Sequence, residues 1–460
     1  MKSKNDNRKN NKMFKDNETI DYLIIGNSAA GLAAAESIRE LDRSGEIMIL
    51  TGENYLNYSK PMITYFLSGA VNLNMVHFKD EKFYRDNRLD IRLNTKVRSI
   101  DTDEMFLITD DGSRYEFRKL LIASGGRPIT PKIKVAGSRS LDFIDSTKYD
   151  KVGGIFTLTN LEDAVRIKNY IEKNGIKNIS ILGGGLIGLK AAEAFLEKGI
   201  DVNIIELADR ILAATFDREA SGIIEKRIKS TGSNIYMNNT IEEIYVGSGK
   251  ITGYKLKDGI KMECRLLIVA VGVNPDTCFI ASGSLDMARG IIVDDHMRTS
   301  VKNIYAAGDV AEGPDMLSGG NRNIAIWPLA VRQGAAAGVN MAGGNKKYGG
   351  GFFMNSVELL GIPSISMGIT NVAEEEKGFE VFKYLNANQD MYRKVIIKNN
   401  RIIGVILIGN IERAGIYSGL IRNEIDISSV KENISREDFG IIHLPADYKK
   451  HLVVGEGIEV

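Results

Sequence analysis

Two glycine-rich turns of the same form constrain this sequence more than any other feature. The stretches YLIIGNSAAGLAAAESI (22–38) and SILGGGLIGLKAAEAF (180–195) each run from an apolar strand through a glycine turn into a helical pattern. Strand, glycine turn and helix in this order form the phosphate-binding half of a dinucleotide-binding unit. The chain is therefore expected to bind two dinucleotides.

The first turn departs slightly from the usual pattern. It reads Gly26-x-Ser28-x-x-Gly31, with Ser28 where a second glycine normally lets a pyrophosphate approach the backbone. Glu53 follows the end of the next strand and is placed to bind ribose hydroxyls. It comes 27 residues after Gly26, where the usual spacing is about 20. From spacing alone, Glu53 is either this ribose ligand or a solvated loop residue. The alternative that this glycine turn is only a tight strand-to-helix connection, with no ligand, also remains.

The second turn has every part of the dinucleotide fingerprint. It reads Gly183-x-Gly185-x-x-Gly188, and the next strand, DVNII, ends at Glu206. A carboxylate at this position accepts hydrogen bonds from the adenosine ribose and repels a 2′-phosphate. Because Arg210 stands alone rather than in an arginine cluster, NADH is favoured over NADPH.

Composition limits the other classes of function. A chain of 460 residues is long enough for about three domains. Its net charge of +1 does not favour nucleic acid or an anionic membrane as a partner. The four histidines are scattered without ligand spacing, so no metal site is expected.

The cysteines and the N-terminus indicate the compartment. Cys264 and Cys278 are too few for a disulfide framework or for the four thiolates of an iron–sulfur cluster. No apolar run reaches the roughly 18 to 20 residues of a membrane helix, and residues 1–17 lack a signal peptide's apolar segment. We expect a cytoplasmic protein with a disordered lead over residues 1–17.

Three further stretches suggest a family. LLIASGGRP (120–128), LLIVAVGVNPDT (266–277) and TSVKNIYAAGDVAE (299–312) are strands that run into turns of small residues. In this order around two glycine turns, they resemble the two-dinucleotide-binding flavoproteins of the pyridine nucleotide–disulfide reductase family, over roughly residues 20–410. The resemblance is greatest to its thiol-free branch of NADH:rubredoxin reductases, ferredoxin reductases and the flavin module of NADH nitrite reductases. GENYLNYSKP (52–61) is similar to that branch's acid, aromatic and Arg/Lys-Pro signature.

The resemblance implies FAD in the first turn and NADH in the second. It places Asp309 on the FAD ribityl chain, with the N-terminus of the following helix directed at the cofactor, and Trp327 of IWPLAVRQG beside the isoalloxazine ring. It also places Gly272 where the nicotinamide approaches. The implied FAD-binding residues are Gly26, Ser28, Ala29, Ala30, Gly31, Glu53, Lys60, Val97, Ala123, Ser124, Gly125, Gly308, Asp309 and Trp327. The implied NADH-binding residues are Gly183, Gly185, Leu186, Ile187, Gly188, Glu206 and Gly272.

The resemblance also implies the organisation of an α/β protein. Two Rossmann-like domains are expected, an FAD domain split over 18–147 and 275–345 and an NAD domain inserted at 148–274. An α+β interface domain over 350–460, used for dimer contacts in the family, should follow. Within it, MYRKVIIKNNRIIGVILIG is typical of two strands joined at Asn399-Asn400.

The position of the cysteines decides where electrons go. Thiol-dependent members of the family carry cysteine beside the flavin, whereas the corresponding segment here, NYSKPMITY (57–65), has none. Cys264 and Cys278 are expected to be small structural residues. Electrons should therefore pass directly from reduced FAD to a one-electron carrier such as rubredoxin, ferredoxin or an iron–sulfur subunit. The alternatives are a peroxide-forming NADH oxidase and a flavin-binding interaction protein switched by NADH.

Lys190 departs from the family pattern. The position two residues after the last glycine of the second turn is usually a glutamate near the flavin and the nicotinamide, and here it is Lys190. One interpretation pairs Lys190 with Glu193, three residues later on the helix. The other directs Lys190 at the flavin ring as a catalytic residue, where its charge favours the anionic reduced flavin.

Overall fold

The computed structural model describes residues 19–136, 143–144, 149–372 and 377–444. These residues belong to two compact units. The first unit lies within Met1–Ser59, His77–Gly126 and Pro275–Gly351, and the second within Lys60–Val76, Arg127–Asn274 and Phe352–Val460. The predicted lead over 1–17 lies outside the described residues, and the predicted domain bounds stay predictions.

The described residues form eight α-helices and twenty-seven strands. The helices are α1 Ala29–Leu41, α2 Ile63–Ser68, α3 Glu81–Asp86, α4 Leu161–Asn174, α5 Leu186–Leu196, α6 Arg218–Ser230, α7 Trp327–Met341 and α8 Ala414–Arg422. The strands up to residue 256 are β1 Ile20–Ile25, β2 Ile47–Leu50, β3 Leu89–Arg92, β4 Val97–Asp101, β5 Phe106–Thr109, β6 Arg114–Ile122, β7 Gly126–Pro128, β8 Ile133–Ala136, β9 Phe143–Ile144, β10 Ile155–Thr157, β11 Asn178–Leu182, β12 Asp201–Ile205, β13 Asn234–Tyr236, β14 Ile241–Gly247 and β15 Lys250–Leu256. The later strands are β16 Lys261–Glu263, β17 Leu267–Val269, β18 Val273–Pro275, β19 Ile291–Ile292, β20 Ile304–Ala306, β21 Ala311–Pro314, β22 Asn321–Arg322, β23 Met354–Leu359, β24 Ile362–Gly368, β25 Phe379–Asn386, β26 Met391–Lys398 and β27 Arg401–Ile408. None of these helices has the length and apolar character needed to span a bilayer.

A seven-stranded sheet forms the centre of the first unit. Strands β3, β2, β1, β6 and β20 are parallel neighbours, and β5 and β4 extend the sheet as an antiparallel hairpin from β6. The strands β1 and β2 are almost continuously apolar, as expected of parallel strands buried on both faces. Helices α1 and α7 pack closely because Gly334 and Gly338 have no Cβ; a Cβ at Gly334 would lie 2.1 Å from the Ala30 carbonyl oxygen.

The second unit contains a five-stranded parallel sheet in the order β10-β17-β11-β12-β13. A second sheet, in the order β16-β15-β14-β8-β9, lies in the same unit. The strands β11 and β12 are those predicted around the second glycine turn, and α5 follows the turn. Each glycine turn therefore joins a central parallel strand to a helix, which confirms the predicted α/β class with two Rossmann-like folds.

Residues 354–444 form an α+β layer, as predicted. Strands β23-β24-β27-β26-β25 make an antiparallel sheet, and α8 follows β27. The predicted hairpin turn lies between β26 and β27, where Asn399 and Asn400 have φ of +50° and +61°. Two consecutive residues with positive φ are typical of the type I′ turn that matches the strand twist.

Residues 426–444 complete this layer. Ile427, Ile434 and Phe439 are fully buried. The Tyr417 hydroxyl donates to the Ile434 carbonyl at 2.6 Å, and Arg413 donates to the Phe439 carbonyl at 2.8 Å. Across these described residues, 426–444, the regular elements are two short 3₁₀ turns, which are too short to be found from periodicity.

Candidate dinucleotide-binding sites

The first glycine turn is closed by backbone contacts that exclude side chains. Gly26 has φ of +113°, and a Cβ there would lie 2.1 Å from the Ala123 carbonyl oxygen at the end of the neighbouring strand β6. A Cβ at Gly31 would lie 2.0 Å from the Gly26 carbonyl oxygen. These two glycines allow the tight turn and the close packing of α1 on the sheet.

The second turn has the same construction. Gly183 has φ of +116°, and its Cβ would lie 2.4 Å from the Ala270 carbonyl oxygen at the end of β17. A Cβ at Gly188 would lie 2.0 Å from the Gly183 carbonyl oxygen. At Gly185, by contrast, no atom of the described residues beyond its own chain neighbours lies within 4 Å of the Cβ position. Space beside Gly185 is what a backbone needs if a pyrophosphate is to approach it.

The helices that follow the two turns begin without a side-chain cap. Neither Ser28 before α1 nor Gly185 before α5 makes a side-chain capping bond, whereas Asn160 caps α4 and Asp217 caps α6. The predicted residues Ala29, Ala30, Leu186 and Ile187 lie in the first turns of α1 and α5. Backbone N–H groups at such a helix start have no partner within the helix and bind phosphate well.

Glu53 carries a buried oxygen that fits a ribose. Its Oε2 atom is buried and has no hydrogen-bond partner within the described part of the chain. Two hydrogen bonds fix the Glu53 backbone: its amide donates to the Thr51 hydroxyl, and its carbonyl accepts from the Asn94 amide. Asn94 lies three residues before Val97, where β4 begins. An unpaired buried acceptor is unfavourable, and a hydroxyl donor satisfies it. The burial of this oxygen fits a ligand-binding acid better than a fully solvated loop residue.

Glu206 lies at the edge of the second turn. Its carboxylate accepts hydrogen bonds from the Gly184 amide at 2.6 Å and the Ala208 amide at 2.7 Å. Arg210 is engaged with the Asp209 carboxylate at 2.8 Å and the Phe216 carbonyl at 3.1 Å. The second turn therefore presents a fixed negative charge, and its neighbouring arginine is already bonded to the protein.

The AAGD turn lies against the first glycine turn. Gly308 has φ of +79°, and its Cβ would lie 3.2 Å from the Ala30 Cβ. The Gly308 amide donates to Gln333 Oε1 at 2.8 Å, and Asn323 donates to the Asp309 carbonyl at 2.8 Å. Sequence reasoning missed both amide side chains, because they reach this turn from 14 and 25 residues away.

The helix that follows Asp309 in the sequence is α7. A 3₁₀ turn over Gly308–Val310 leads into β21, and the next α-helix, α7, begins at Trp327. The Trp327 ring packs edge-to-face on Phe78, with 5.2 Å between the ring centres.

The remaining predicted residues lie in loops. Ser124, between Ala123 and Gly125, donates to the Asp276 carbonyl at 2.7 Å in the first unit. In the second unit, Gly272 is exposed with φ of +112° and accepts from the Ile129 amide at 2.9 Å. Lys60 opens a 3₁₀ turn, Lys60–Met62, that also belongs to the second unit.

Lys190 pairs with Glu193, the first of its two interpretations. The Lys190 ammonium contacts the Glu193 carboxylate, and their side chains are 18% and 10% exposed. It also donates to the Glu358 carbonyl at 3.2 Å and lies 5.2 Å from the centre of the Tyr65 ring. The second Glu193 oxygen accepts from the Leu360 amide at 2.6 Å. The pair therefore ties α5 to the turn between β23 and β24.

Neither cysteine forms a disulfide. Burial raises the pKa of the Cys264 thiol to about 11, and the thiol donates to the Leu266 carbonyl at 3.2 Å. Cys264 is therefore protonated near neutral pH and is a poor nucleophile. Cys278 is exposed and lies 3.1 Å from the Asp276 carboxylate, which accepts a hydrogen bond from it.

A group of possible metal ligands lies away from the glycine turns in sequence. Asp294, Asp295 and His296 have ligand atoms within 4.8 Å of one another. His296 is bonded to Asp295 and Asn345, and Lys347 pairs with Asp295 at 2.9 Å. These ligand atoms already have protein partners, and a lysine competes with a cation there.

Comparison with known families gives two matches. Residues 20–334 match the pyridine nucleotide-disulphide oxidoreductase family, and residues 354–425 match the rubredoxin NAD+ reductase C-terminal domain. Together they cover both glycine turns and the C-terminal sheet. The resemblance stated from the sequence motifs is confirmed.

Individual relatives match this chain over most of its length. The chain is 29% identical to the NADH-dependent phenylglyoxylate dehydrogenase subunit epsilon of Aromatoleum evansii, over 90% of this chain and 94% of the relative. It is 31% identical to an NADH oxidase of Methanocaldococcus jannaschii, over 71% of each chain. The crystal structure of NADH:rubredoxin oxidoreductase from Clostridium acetobutylicum superposes with a TM-score of 0.71 at 28% identity, covering 92% of this chain and 98% of that one.

Proposed function

Because this chain belongs to the pyridine nucleotide-disulphide oxidoreductase family, we propose that it passes electrons from NADH through FAD to a one-electron carrier protein. The observation that supports this most is the pair of glycine turns of one construction, each opening an uncapped helix in its own compact unit. When bound, FAD accepts a hydride from NADH and can release the two electrons singly.

The first turn is the proposed FAD site. The amides at the start of α1 bind phosphate, and Glu53 Oε2 accepts from a ribose hydroxyl. Asp309 is held for the ribityl chain by the bonds that Gln333 and Asn323 make to its turn. Val97, Ala123–Gly125 and Trp327 complete the proposed set in the first unit.

The second turn is the proposed NADH site. Space beside Gly185 admits the pyrophosphate, and the amides of Leu186 and Ile187 are available at the start of α5. Glu206 accepts from the adenosine ribose, and its charge disfavours NADPH. Gly272 is exposed at the end of the neighbouring strand, where the nicotinamide would lie.

The carrier receives electrons directly from FAD in this proposal. Protonated Cys264 is unsuited to a thiol relay, and the segment 57–65 has no cysteine. A rubredoxin, ferredoxin or iron–sulfur subunit is the proposed acceptor, in keeping with the C-terminal domain match and the rubredoxin oxidoreductase relative. A homodimer and a cytoplasmic location stay predictions.

Oxygen is the second candidate acceptor, since an NADH oxidase is among the relatives. Anaerobic stopped-flow kinetics separate the two. NADH should reduce the bound flavin, and rubredoxin or ferredoxin added without oxygen should reoxidise it faster than air-saturated buffer does in a separate mixing experiment. Slow transfer to every carrier, together with rapid peroxide formation in air, would replace the carrier by oxygen. A folded protein that does not bind FAD would refute both.

A further inference from the structure

Asn27 lies inside the first glycine turn and was not among the predicted ligands. It stands between Gly26 and Ser28 and is 7% exposed. Its Nδ2 atom is buried and has no hydrogen-bond partner in the described ranges. A buried donor without an acceptor is unfavourable and rare in folded proteins.

The orientation of this amide is fixed by a chain of hydrogen bonds that begins at Asn57. Asn57 Oδ1 accepts from the Phe78 and Lys79 amides, each at 3.0 Å. Asn57 Nδ2 donates to the Lys79 carbonyl at 2.7 Å, which leaves its second proton for the Tyr84 hydroxyl at 3.0 Å. Because two amides donate to its oxygen, the Asn57 side chain has one acceptable orientation.

Tyr84 passes this orientation on to Asn27. The Tyr84 hydroxyl oxygen accepts a hydrogen bond from Asn57, so the hydroxyl proton is donated to Asn27 Oδ1, with 3.0 Å between the two oxygens. Burial raises the pKa of Tyr84 to about 12, so the hydroxyl keeps that proton near neutral pH. Asn27 must therefore present oxygen to Tyr84, and its Nδ2 donor remains without a partner.

We infer that Asn27 is a cofactor-binding residue whose Nδ2 donates to an oxygen of FAD, and that Tyr84 and Asn57 are positioning residues for it. The inference rests on the proposed FAD site at the first turn. A dinucleotide phosphate is rich in acceptors and lies at such a turn. The unpaired donor of Asn27 and the unpaired acceptor of Glu53 then both find partners in one ligand.

FAD titration of the full chain, after removal of bound flavin, tests this inference. Asn27→Asp keeps the shape and the oxygen that accepts from Tyr84 but replaces the donor by an acceptor. We expect its FAD Kd to rise tenfold to 100-fold, about 1.4 to 2.8 kcal/mol. Asn345→Asp is the matched control, since Asn345 is exposed in the same unit and contacts His296 through an oxygen that Asp retains, and it should stay within about twofold of the unsubstituted chain.

Tyr84→Phe gives a second measurement should Asn27→Asp fold poorly. It removes the hydroxyl that orients the amide, so FAD binding should weaken by less than in Asn27→Asp. Combined with Asn27→Asp it should add little, because the two residues act through one bond. NADH binding at the second turn should not change in either variant.

Two outcomes would overturn the inference and separate it from the proposed function. Unchanged FAD affinity in both Asn27→Asp and Tyr84→Phe, with normal binding by the unsubstituted chain, would make the unpaired amide a structural feature only. Failure of the unsubstituted, folded chain to bind FAD would instead refute the proposed function on which the inference rests.

Discussion

Replacing Glu206 by Gln tests the proposed choice of NADH over NADPH. The two Glu206 oxygens are held by the Gly184 and Ala208 amides, so the charge has a fixed position at the second turn. Gln keeps the shape and one acceptor but removes the charge. The substitution therefore isolates repulsion of the 2′-phosphate from a gross change in the turn.

The expected magnitude follows from the partial exposure of Glu206. Two unit charges 4 Å apart repel by about 1 kcal/mol in water and by about 4 kcal/mol near a protein surface. For a half-buried carboxylate we take about 2 kcal/mol, which is roughly 30-fold. NADH should also bind somewhat more weakly. Each Glu206 oxygen accepts from a backbone N–H, and in Gln one of these oxygens is replaced by an NH₂ group that cannot accept, which leaves that N–H unpaired and disturbs the turn.

Flavin reduction by each nucleotide, followed anaerobically, gives the ratio of kcat/KM for NADH to that for NADPH. We expect this ratio to fall about 30-fold in Glu206→Gln. Glu206→Asp, which retains the charge, should keep most of the preference. Glu197→Gln, at an exposed acid that ends α5, should leave the ratio unchanged. An unchanged ratio in Glu206→Gln would refute electrostatic discrimination by this residue.

Four further outcomes are expected. Asp309→Ala should lower FAD content per chain, measured by flavin absorbance, because a charged hydrogen-bond acceptor is typically worth tenfold or more in affinity; full occupancy would exclude Asp309 from the site. Cys264→Ser combined with Cys278→Ser should keep carrier reduction, and a large loss in a folded, flavin-loaded chain would restore a thiol mechanism. Lys190→Glu should lower the thermal midpoint by roughly 5 °C through loss of a mostly buried ion pair; an unchanged midpoint would contradict that role. A lower flavin midpoint potential in the same variant, measured by redox titration, would show that the lysine charge also acts on the flavin. The backbone amides of Gly45 and Ser44 lower the pKa of Asp42 from 3.8 to about 2, so the stability that its carboxylate contributes is present above pH 3.8 and is lost as the pH falls towards 2. In Asp42→Asn the thermal midpoint should therefore depend less on pH between 3.8 and 2 than in the unsubstituted chain. The same pH dependence in both proteins would contradict this role.

The parts of the fold that sequence predicted well depend on local rules. The turns at Gly26 and Gly183 are recognisable because only glycine fits the backbone contacts there. The hairpin at Asn399 follows from the positive φ that its turn requires. Asn27 and Gln333 were missed because their roles depend on Tyr84 and Gly308, distant in sequence, and no spacing rule links them.

The contacts of Lys190 favour one of the two interpretations that spacing leaves open. A lysine two residues past the glycine turn has an acid three residues later, so a pair on the helix was possible from sequence alone. The structure adds that Glu193 is nearly buried and also accepts from the Leu360 amide. A buried carboxylate with one amide bond needs a cation, and Lys190 supplies it. Its charge therefore first stabilises the contact of α5 with the C-terminal sheet. Any effect on a bound flavin must come from the charge that remains after this neutralisation.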